Sequence, residues 1–281
     1  MGRALAVIIW ILTFLSVILF VSKKWWLPEA ISEHGPALDR QFMITIVIVG
    51  IAFTAAQLGL GWMIWKYRDS GDGSRATYTH GSNKLEVLWT VITAVIFIGL
   101  AVMGQSVWAS LRLHEAPAGS YTIEVVAQQF AWNFHYSGKD GLLGRTEPKL
   151  IDEPTNYIGL DPDDPNSADD SVVSTLAIPV NRPVELILRS KDVIHSFWVP
   201  PLRFKQDLVP GMAIKVHFTA TKVGKYELAC AELCGAQHYK MASSMLVLPE
   251  EEHRALTQLP QAEFQAKMKE LLEKYQLPPK Q

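Results

Sequence analysis

The chain has 281 residues, of which 49% are hydrophobic and 19% charged, and its formal net charge is -2 at pH 7. That balance excludes a nucleic-acid binder, which needs a basic face. It is also too apolar for an ordinary soluble domain, and the excess is localised.

Three apolar runs come first, at residues 4–22, 42–65 and 85–108. Each is near the ~20 residues that cross a bilayer as a helix. Trp25 and Trp26 follow the first run, Trp62 and Trp65 close the second, and Trp89 and Trp108 bracket the third, as interfacial aromatic belts do. Arg3 precedes the first run, but no small-x-small cleavage site stands before Lys23-Lys24-Trp25-Trp26. It therefore reads as a retained helix rather than a cleaved signal, and residues 1–108 read as a membrane anchor. Three spans place the N-terminus and the 66–84 loop on one side. That loop carries Lys66, Arg68, Arg75 and Lys84, against Lys23, Lys24 and Arg40 in the 23–41 loop. The positive-inside bias makes the first side cytoplasmic. Everything after the third span then lies on the periplasmic face of an inner membrane.

From residue 121 the helical runs give way to short β-branched and aromatic stretches at 122–126, 131–136, 173–178, 184–189, 213–218, 225–229 and 244–248. Several alternate apolar and polar, as half-buried strands should. About seven strands at this spacing suggest a β-sandwich or barrel, here over 109–249. Within it, residues 152–170 form an acidic insertion that runs from Asp152-Glu153-Pro154 through Asp161-Pro162-Asp163-Asp164 to Asp169-Asp170. It reads as a solvated loop. The alternatives are a docking surface for a basic redox carrier and a calcium site, although EF-hand spacing is missing. After Pro249, residues 250–281 turn helical, with Phe264, Met268, Leu271, Leu272 and Tyr275 in one stripe. No C-x-x-C-H haem-attachment motif occurs.

The chemistry concentrates in Cys230-Ala231-Glu232-Leu233-Cys234-Gly235-Ala236-Gln237-His238-Tyr239-Lys240-Met241, which holds both cysteines of the chain. Thiolate and thioether beside imidazole select copper. On spacing alone, two cysteines in an oxidising compartment could instead form a disulfide or join a Cys2His2-type zinc site, but Met is not a usual zinc ligand. An upstream segment, Asp192-Val193-Ile194-His195-Ser196-Phe197, which precedes the Pro200-Pro201 break and reads as a loop between strands, offers a distant imidazole.

The combination C-x-E-x-C-G-x-x-H-x-x-M with an upstream D-V-x-H-S resembles subunit II of haem–copper cytochrome c oxidases, as a divergent bacterial-type member. The likeness runs from about residue 42 to 248. It implies a membrane-anchored, all-β fold: N-terminal transmembrane helices, a cupredoxin-like Greek-key β-barrel, then a C-terminal helix. Many relatives have only two spans, so the first here is an addition. The resemblance also implies a dinuclear copper centre, CuA, with Cys230 and Cys234 bridging and His195 and His238 each on one copper. Met241 and the backbone carbonyl of Glu232 would be weak axial ligands. The Glu232 side chain would reach a magnesium or manganese ion at the interface with subunit I. Glu86-Val87-Leu88-Trp89-Thr90 matches the family's E-x-x-W-T, in which the Glu marks a proton-uptake path. In Gln128-Gln129-Phe130-Ala131-Trp132, the family's Q-W-x-W has Phe130 where the first Trp takes up electrons, and keeps only Trp132. Met212, where relatives usually have Arg, and Thr93, where many have Pro, are further departures.

The function implied is the electron-accepting subunit of a respiratory oxidase. Cytochrome c or a similar soluble carrier would deliver electrons to CuA. They would pass on to haem in subunit I, where oxygen becomes water with proton pumping, and subunit III would complete the partners. A quinol oxidase subunit is disfavoured because such relatives lack the copper ligands, and nitrous oxide reductase because the length cannot hold its propeller. A membrane-anchored periplasmic copper delivery or storage protein is the alternative from a different class.

Overall fold

The computed structural model describes residues 1–276 apart from 24, 25, 70, 72, 74, 79 and 154. Expectations that fall on Lys24, Trp25, Pro154 and residues 277–281 lie outside the described residues. The chain divides into two compact units, Met1–Trp26 with Ala37–Leu111, and Leu27–Pro36 with the chain from Arg112 onward.

The first unit is helical: α1 (Gly2–Val21), α2 (Gly35–Lys66) and α3 (Asn83–Arg112). All three are long and apolar enough to cross a membrane. A bilayer offers the backbone no partners, so a span must satisfy its own N–H and C=O groups, and a helix does. Side-chain hydroxyls follow the same rule: Thr13 Oγ1 donates to the Ile9 carbonyl at 2.7 Å and Thr54 Oγ1 to that of Gly50 at 2.8 Å. The 32 residues of α2 reach ~48 Å at 1.5 Å per residue, well beyond a core of ~30 Å. Helices α1 and α2 are antiparallel neighbours, with Gly2 against Arg68 and Trp10 against Gly61, where a Cβ would collide with the indole. The Trp10 indole N–H donates to the Leu58 carbonyl at 3.3 Å and its ring stacks on Trp65 with centroids 5.9 Å apart.

The second unit is a sandwich of two five-stranded sheets. Its strands are β1 (Tyr121–Gln128), β2 (Ala131–Tyr136), β3 (Ser171–Val173), β4 (Leu176–Pro179), β5 (Pro183–Ser190), β6 (His195–Val199), β7 (Phe204–Leu208), β8 (Ile214–Thr219), β9 (Gly224–Cys230) and β10 (Ala242–Leu248). One sheet has the order β3-β2-β1-β5-β8, the other β4-β10-β9-β6-β7. The pairs β1–β5 and β4–β10 are parallel and require crossovers; the rest are antiparallel, in a cupredoxin-like arrangement. Period-two patterning sets the register: Val184, Leu186 and Leu188 of β5 are fully buried while Glu185 and Ile187 between them, and Arg189 after them, are less so. Opposite them, Phe197 and Val199 of β6, Leu228 of β9 and Met245 of β10 complete the core.

Strand β7 has no counterpart in the sequence reading, and the structure departs from that reading in four further places. The stretch 173–178 is two strands in opposite sheets, because the chain crosses at Ser174-Thr175. His195 opens a strand, β6, instead of lying in a loop, and β6 pairs with both β7 and β9. The C-terminal segment is two helices, α4 (Glu250–Thr257) and α5 (Gln261–Lys274), separated at Pro260, which cannot continue a helix. Phe264, Met268 and Leu271 of α5 are buried, with Phe264 5.1 Å from the Tyr136 ring.

The fourth departure is the acidic insertion, which is tied down by its own carboxylates. Asp170 Oδ2 lies 2.6 Å from Nε2 of His135 on β2 and accepts the Gly144 N–H at 2.7 Å. Asp161, only 6% exposed, pairs with the Arg145 guanidinium. Asp164 accepts the N–H groups of Arg145 and Asn166 at 2.8 and 3.1 Å. The segment is thus tied to β2 through His135, which is buried with Glu124 on the neighbouring strand β1.

Candidate metal centre

Two elements build the site. Strand β6 begins at His195, and β9 ends at Cys230, which sits opposite Phe197 in the β6–β9 register. The loop from residue 231 to 241 returns to β10. Three backbone bonds fold it back: Ala231 N–H to Ser196 O at 3.0 Å, Cys230 N–H to Met241 O at 3.0 Å and Met241 N–H to His238 O at 3.0 Å.

That fold brings both thiols, both imidazoles and the thioether together. Cys230 Sγ lies 3.9 Å from Cys234 Sγ and 3.9 Å from His195 Nδ1. Cys234 Sγ lies 3.5 Å from His238 Nδ1 and 3.7 Å from Met241 Sδ. The Cys230 thiol reaches the Glu232 carbonyl oxygen at 3.2 Å. Both thiols are free. His195, Cys230, Cys234 and Met241 are buried, whereas His238 is half-buried and the Glu232 side chain exposed. Each cysteine therefore has its own imidazole, in both cases presented through Nδ1, and the two pairs meet at the sulfurs.

The electrostatics suit a soft cation. Burial pushes the Cys230 thiol up, but its hydrogen bonds with His195, with the Glu232 and Ser196 backbone and with His238 together outweigh this and bring it down to about 6. Burial and the neighbouring Cys230 charge push Cys234 up to about 11. Without a metal, one negative charge is shared by the pair. A cation would displace the second proton, since metal binding and thiol deprotonation are linked. This donor set, two thiols with two imidazoles, a thioether and a carbonyl, fits copper and has no place for a hard cation.

Residues that the sequence reading did not weigh support these ligands. Asp192 and Gln129 hydrogen-bond to His195 and to the Cys234 carbonyl respectively. Gly235, at φ 136°, has no room for a side chain, because a Cβ would meet the Gln129 amide at 2.7 Å and the Phe130 ring at 3.1 Å. Trp132 is 2% exposed, with its ring centroid 6.4 Å from that of His195 and 6.1 Å from that of Phe197. Phe130 packs against the core beside Gly235. Met212, after Gly211, is exposed. Glu86 belongs to the helical unit, exposed in the first turn of α3, where a carboxylate complements the helix dipole.

The family model described as cytochrome C oxidase subunit II, periplasmic domain, matches residues 121–247, and the one for its transmembrane domain matches residues 27–107. Helix α1 precedes both matches. An alternative cytochrome c oxidase subunit 2 from Bradyrhizobium diazoefficiens is 34% identical over 254 residues, covering 90% of each chain. A cytochrome c oxidase subunit 2 from Thermostichus vulcanus is 33% identical over 85% of this chain and 81% of its own. The solved periplasmic domain of subunit II of cytochrome oxidase from Bradyrhizobium japonicum is 22% identical, with TM-score 0.35 over 58% of this chain and 100% of that one. With two family models in tandem and relatives matched nearly end to end, this multi-pass membrane protein belongs to the cytochrome c oxidase subunit II family.

Proposed function

We propose that this chain is the subunit through which a respiratory haem–copper oxidase takes up electrons, by way of a dinuclear copper centre held in the β6 and β9–β10 region. The observation that carries this reading is the symmetry of the donor set. Two sulfurs 3.9 Å apart each face a different Nδ1, at 3.9 and 3.5 Å. Cys230 and Cys234 would bridge, His195 and His238 would each hold one metal ion, and Met241 and the Glu232 carbonyl would be the weak ligands. When bound, such a centre supplies one-electron transfer, with the charge spread over two metals and two sulfurs.

The chain's own part is to hold those ligands still and dry. Burial of His195, Cys230, Cys234 and Met241 excludes water from one side. Leu233 and Tyr239, 79% and 76% exposed on the same loop, give the other side an apolar rim. Trp132, edge-on to His195, offers a buried aromatic route inward, and Phe130 offers contact at the adjacent turn. Subunit I would receive the electrons for oxygen reduction and proton pumping, alongside subunit III, with cytochrome c or a similar carrier as donor. The exposed Glu232 carboxylate, on the ligand loop, would bind magnesium or manganese at the boundary with subunit I. Glu86, at the head of a span, would gather protons on the cytoplasmic side. Residues 1–108 would serve as the anchor, 109–249 as the electron-transfer domain and 250–281 as a C-terminal helical extension.

The test is metal content and spectrum of the full chain purified in detergent and loaded with copper. Two coppers per chain with a mixed-valence EPR signal are expected. One zinc, or one exchangeable copper as in a delivery protein, overturns the reading.

A further inference from the structure

The turn between β1 and β2 is bonded to both halves of the ligand set. Asp192 is the first link. Its Oδ1 accepts from His195 Nε2 at 2.8 Å and from the Val193 N–H at 2.7 Å, and its Oδ2 accepts the Gln129 N–H at 2.6 Å. Gln129 is the second link. Its side-chain Nε2 donates to the Cys234 carbonyl at 2.5 Å. His195, held by one residue of this chain of contacts, and Cys234, held by the other, lie on different elements.

We propose that Asp192 and Gln129 are positioning residues that join the two ligand-bearing elements into one frame, with Asp192 selecting Nδ1 of His195 as the ligating atom. The inference rests on the copper reading above. An imidazole has two nitrogens, and the hydrogen bond made by one decides which is left for a metal. A carboxylate at Nε2 requires the proton there, so the lone pair is on Nδ1, the atom that faces Cys230. Outer partners of this kind orient the ring and raise its basicity. Gln129 does the same for the other half by fixing the Cys234 backbone. The Gly235 position is consistent: the missing Cβ lets the Gln129-Phe130 turn close on the cysteine loop. A further consequence is that anything pressing on the exposed part of that turn is transmitted to both ligands through two short bonds.

Asp192→Asn separates the roles. Its amide can still accept from His195, but its NH2 cannot accept the Gln129 N–H, and the negative charge is gone. The full chain, loaded with copper in detergent, is compared with Asp192→Asn, Asp192→Glu and Gln129→Ala. The readouts are midpoint potential, copper affinity by chelator competition, and histidine-nitrogen hyperfine coupling. Loss of the anion destabilises the oxidised centre, so Asp192→Asn raises the midpoint potential and weakens copper by about 10–100-fold. Asp192→Glu recovers part of both. Gln129→Ala changes the sulfur-to-copper absorption while the His195 coupling stays. If Asp192→Asn does not fold, Asp192→Glu and Gln129→Ala decide. Parental potential, affinity and spectra in those two, or in Asp192→Asn, overturn the proposal. Failure of the parent itself to take up two coppers is a different result, and overturns the reading beneath it.

Discussion

His135 should be a permanent cation at neutral pH, and the anchoring of the acidic insertion should depend on it. Its ring is fully buried between Glu124 Oε2 at 2.8 Å and Asp170 Oδ2 at 2.6 Å. A neutral imidazole has one N–H and can serve only one of them. Arg189 Nε, 2.7 Å from Glu124 Oε1, is the other cation facing the group. Burial alone lowers the His135 pKa, but the bonds to Asp170 and Glu124 outweigh it and raise it to about 9. A pKa moved from 6.5 to about 9 is worth on the order of 3 kcal/mol. Because the folded-state value is the raised one, that stability is complete below pH 6.5 and is lost as pH rises through about 9. The assay is hydrogen exchange at the Gly144 N–H, which donates to Asp170; it reads local opening and needs no two-state assumption for a two-unit membrane protein. After correction for intrinsic rates, protection should fall by on the order of 100-fold between pH 6.5 and 9.5. His135→Gln leaves buried carboxylates without their shared cation, a loss of about 3–5 kcal/mol at pH 7, and should erase the pH dependence. Flat protection across that range in the parent, or equal protection in parent and variant, would refute the argument.

Other outcomes follow from single contacts. Cys234→Ser removes one of two bridging sulfurs and should abolish the mixed-valence EPR signal of the copper-loaded chain; a retained signal would count against the double bridge. Glu86→Gln keeps size and hydrogen bonding but removes the titratable group, so assembled oxidase should turn over more slowly with unchanged copper spectra, and equal turnover across pH would remove the role. Gly61→Leu fills the notch under Trp10, so α1 should become accessible to protease in detergent while the soluble domain's unfolding midpoint stays put; unchanged resistance would mean that α1 does not depend on that contact. Among the insertion's acids, Asp163 is exposed, whereas Asp161 and Asp164 are committed to Arg145. Asp163→Asn should lower the donor association rate and flatten its salt dependence without touching stability, if the surface steers a basic carrier. Identical rates at low and high salt would leave the insertion a structural cover only.

What the sequence made legible was what chemistry repeats locally. The spans could be read because lipid demands about 20 apolar residues in a row. The ligands could be read because five of the six candidates fall within the twelve residues from Cys230 to Met241. Elements held from far away were not. Strand β7 buries only Phe204 and Leu208 of Phe204–Leu208, so its Lys-Gln-Asp centre carries no alternating apolar signal, and only pairing with β6 makes it a strand. The run 173–178, with Val173, Thr175 and Ile178 β-branched, reads as one strand, and no Gly or Pro marks its change of sheet at Ser174-Thr175. The insertion looked solvated because its partners, His135 and Arg145, lie outside it. Likewise Gln129 reaches Asp192 across 63 positions and Cys234 across 105, distances at which composition and periodicity carry no information.

The insertion and the ligand loop solve one problem in two ways. An electron-transfer centre works best when its ligands scarcely move between redox states, and a cysteine loop on its own would move. Here its free length is short: Ala231 is fixed to Ser196, Cys234 to Gln129, and Met241 to both Cys230 and His238. Ser196, in turn, is held by Asp207 at 2.7 Å on the next strand. What stays exposed, Glu232, Leu233, Ala236, Gln237, Tyr239 and Lys240, is the part a partner could touch without displacing a ligand. On the far sheet Asp170 of the insertion holds His135 of β2, His135 in turn holds Glu124 of β1, and β1 leads into the 128–131 turn that joins both halves of the ligand set. Rigidity at the proposed centre is therefore borrowed from charge pairs elsewhere in the sandwich. This is why His135, which touches no ligand, is the residue whose loss should loosen the frame while every ligand remains.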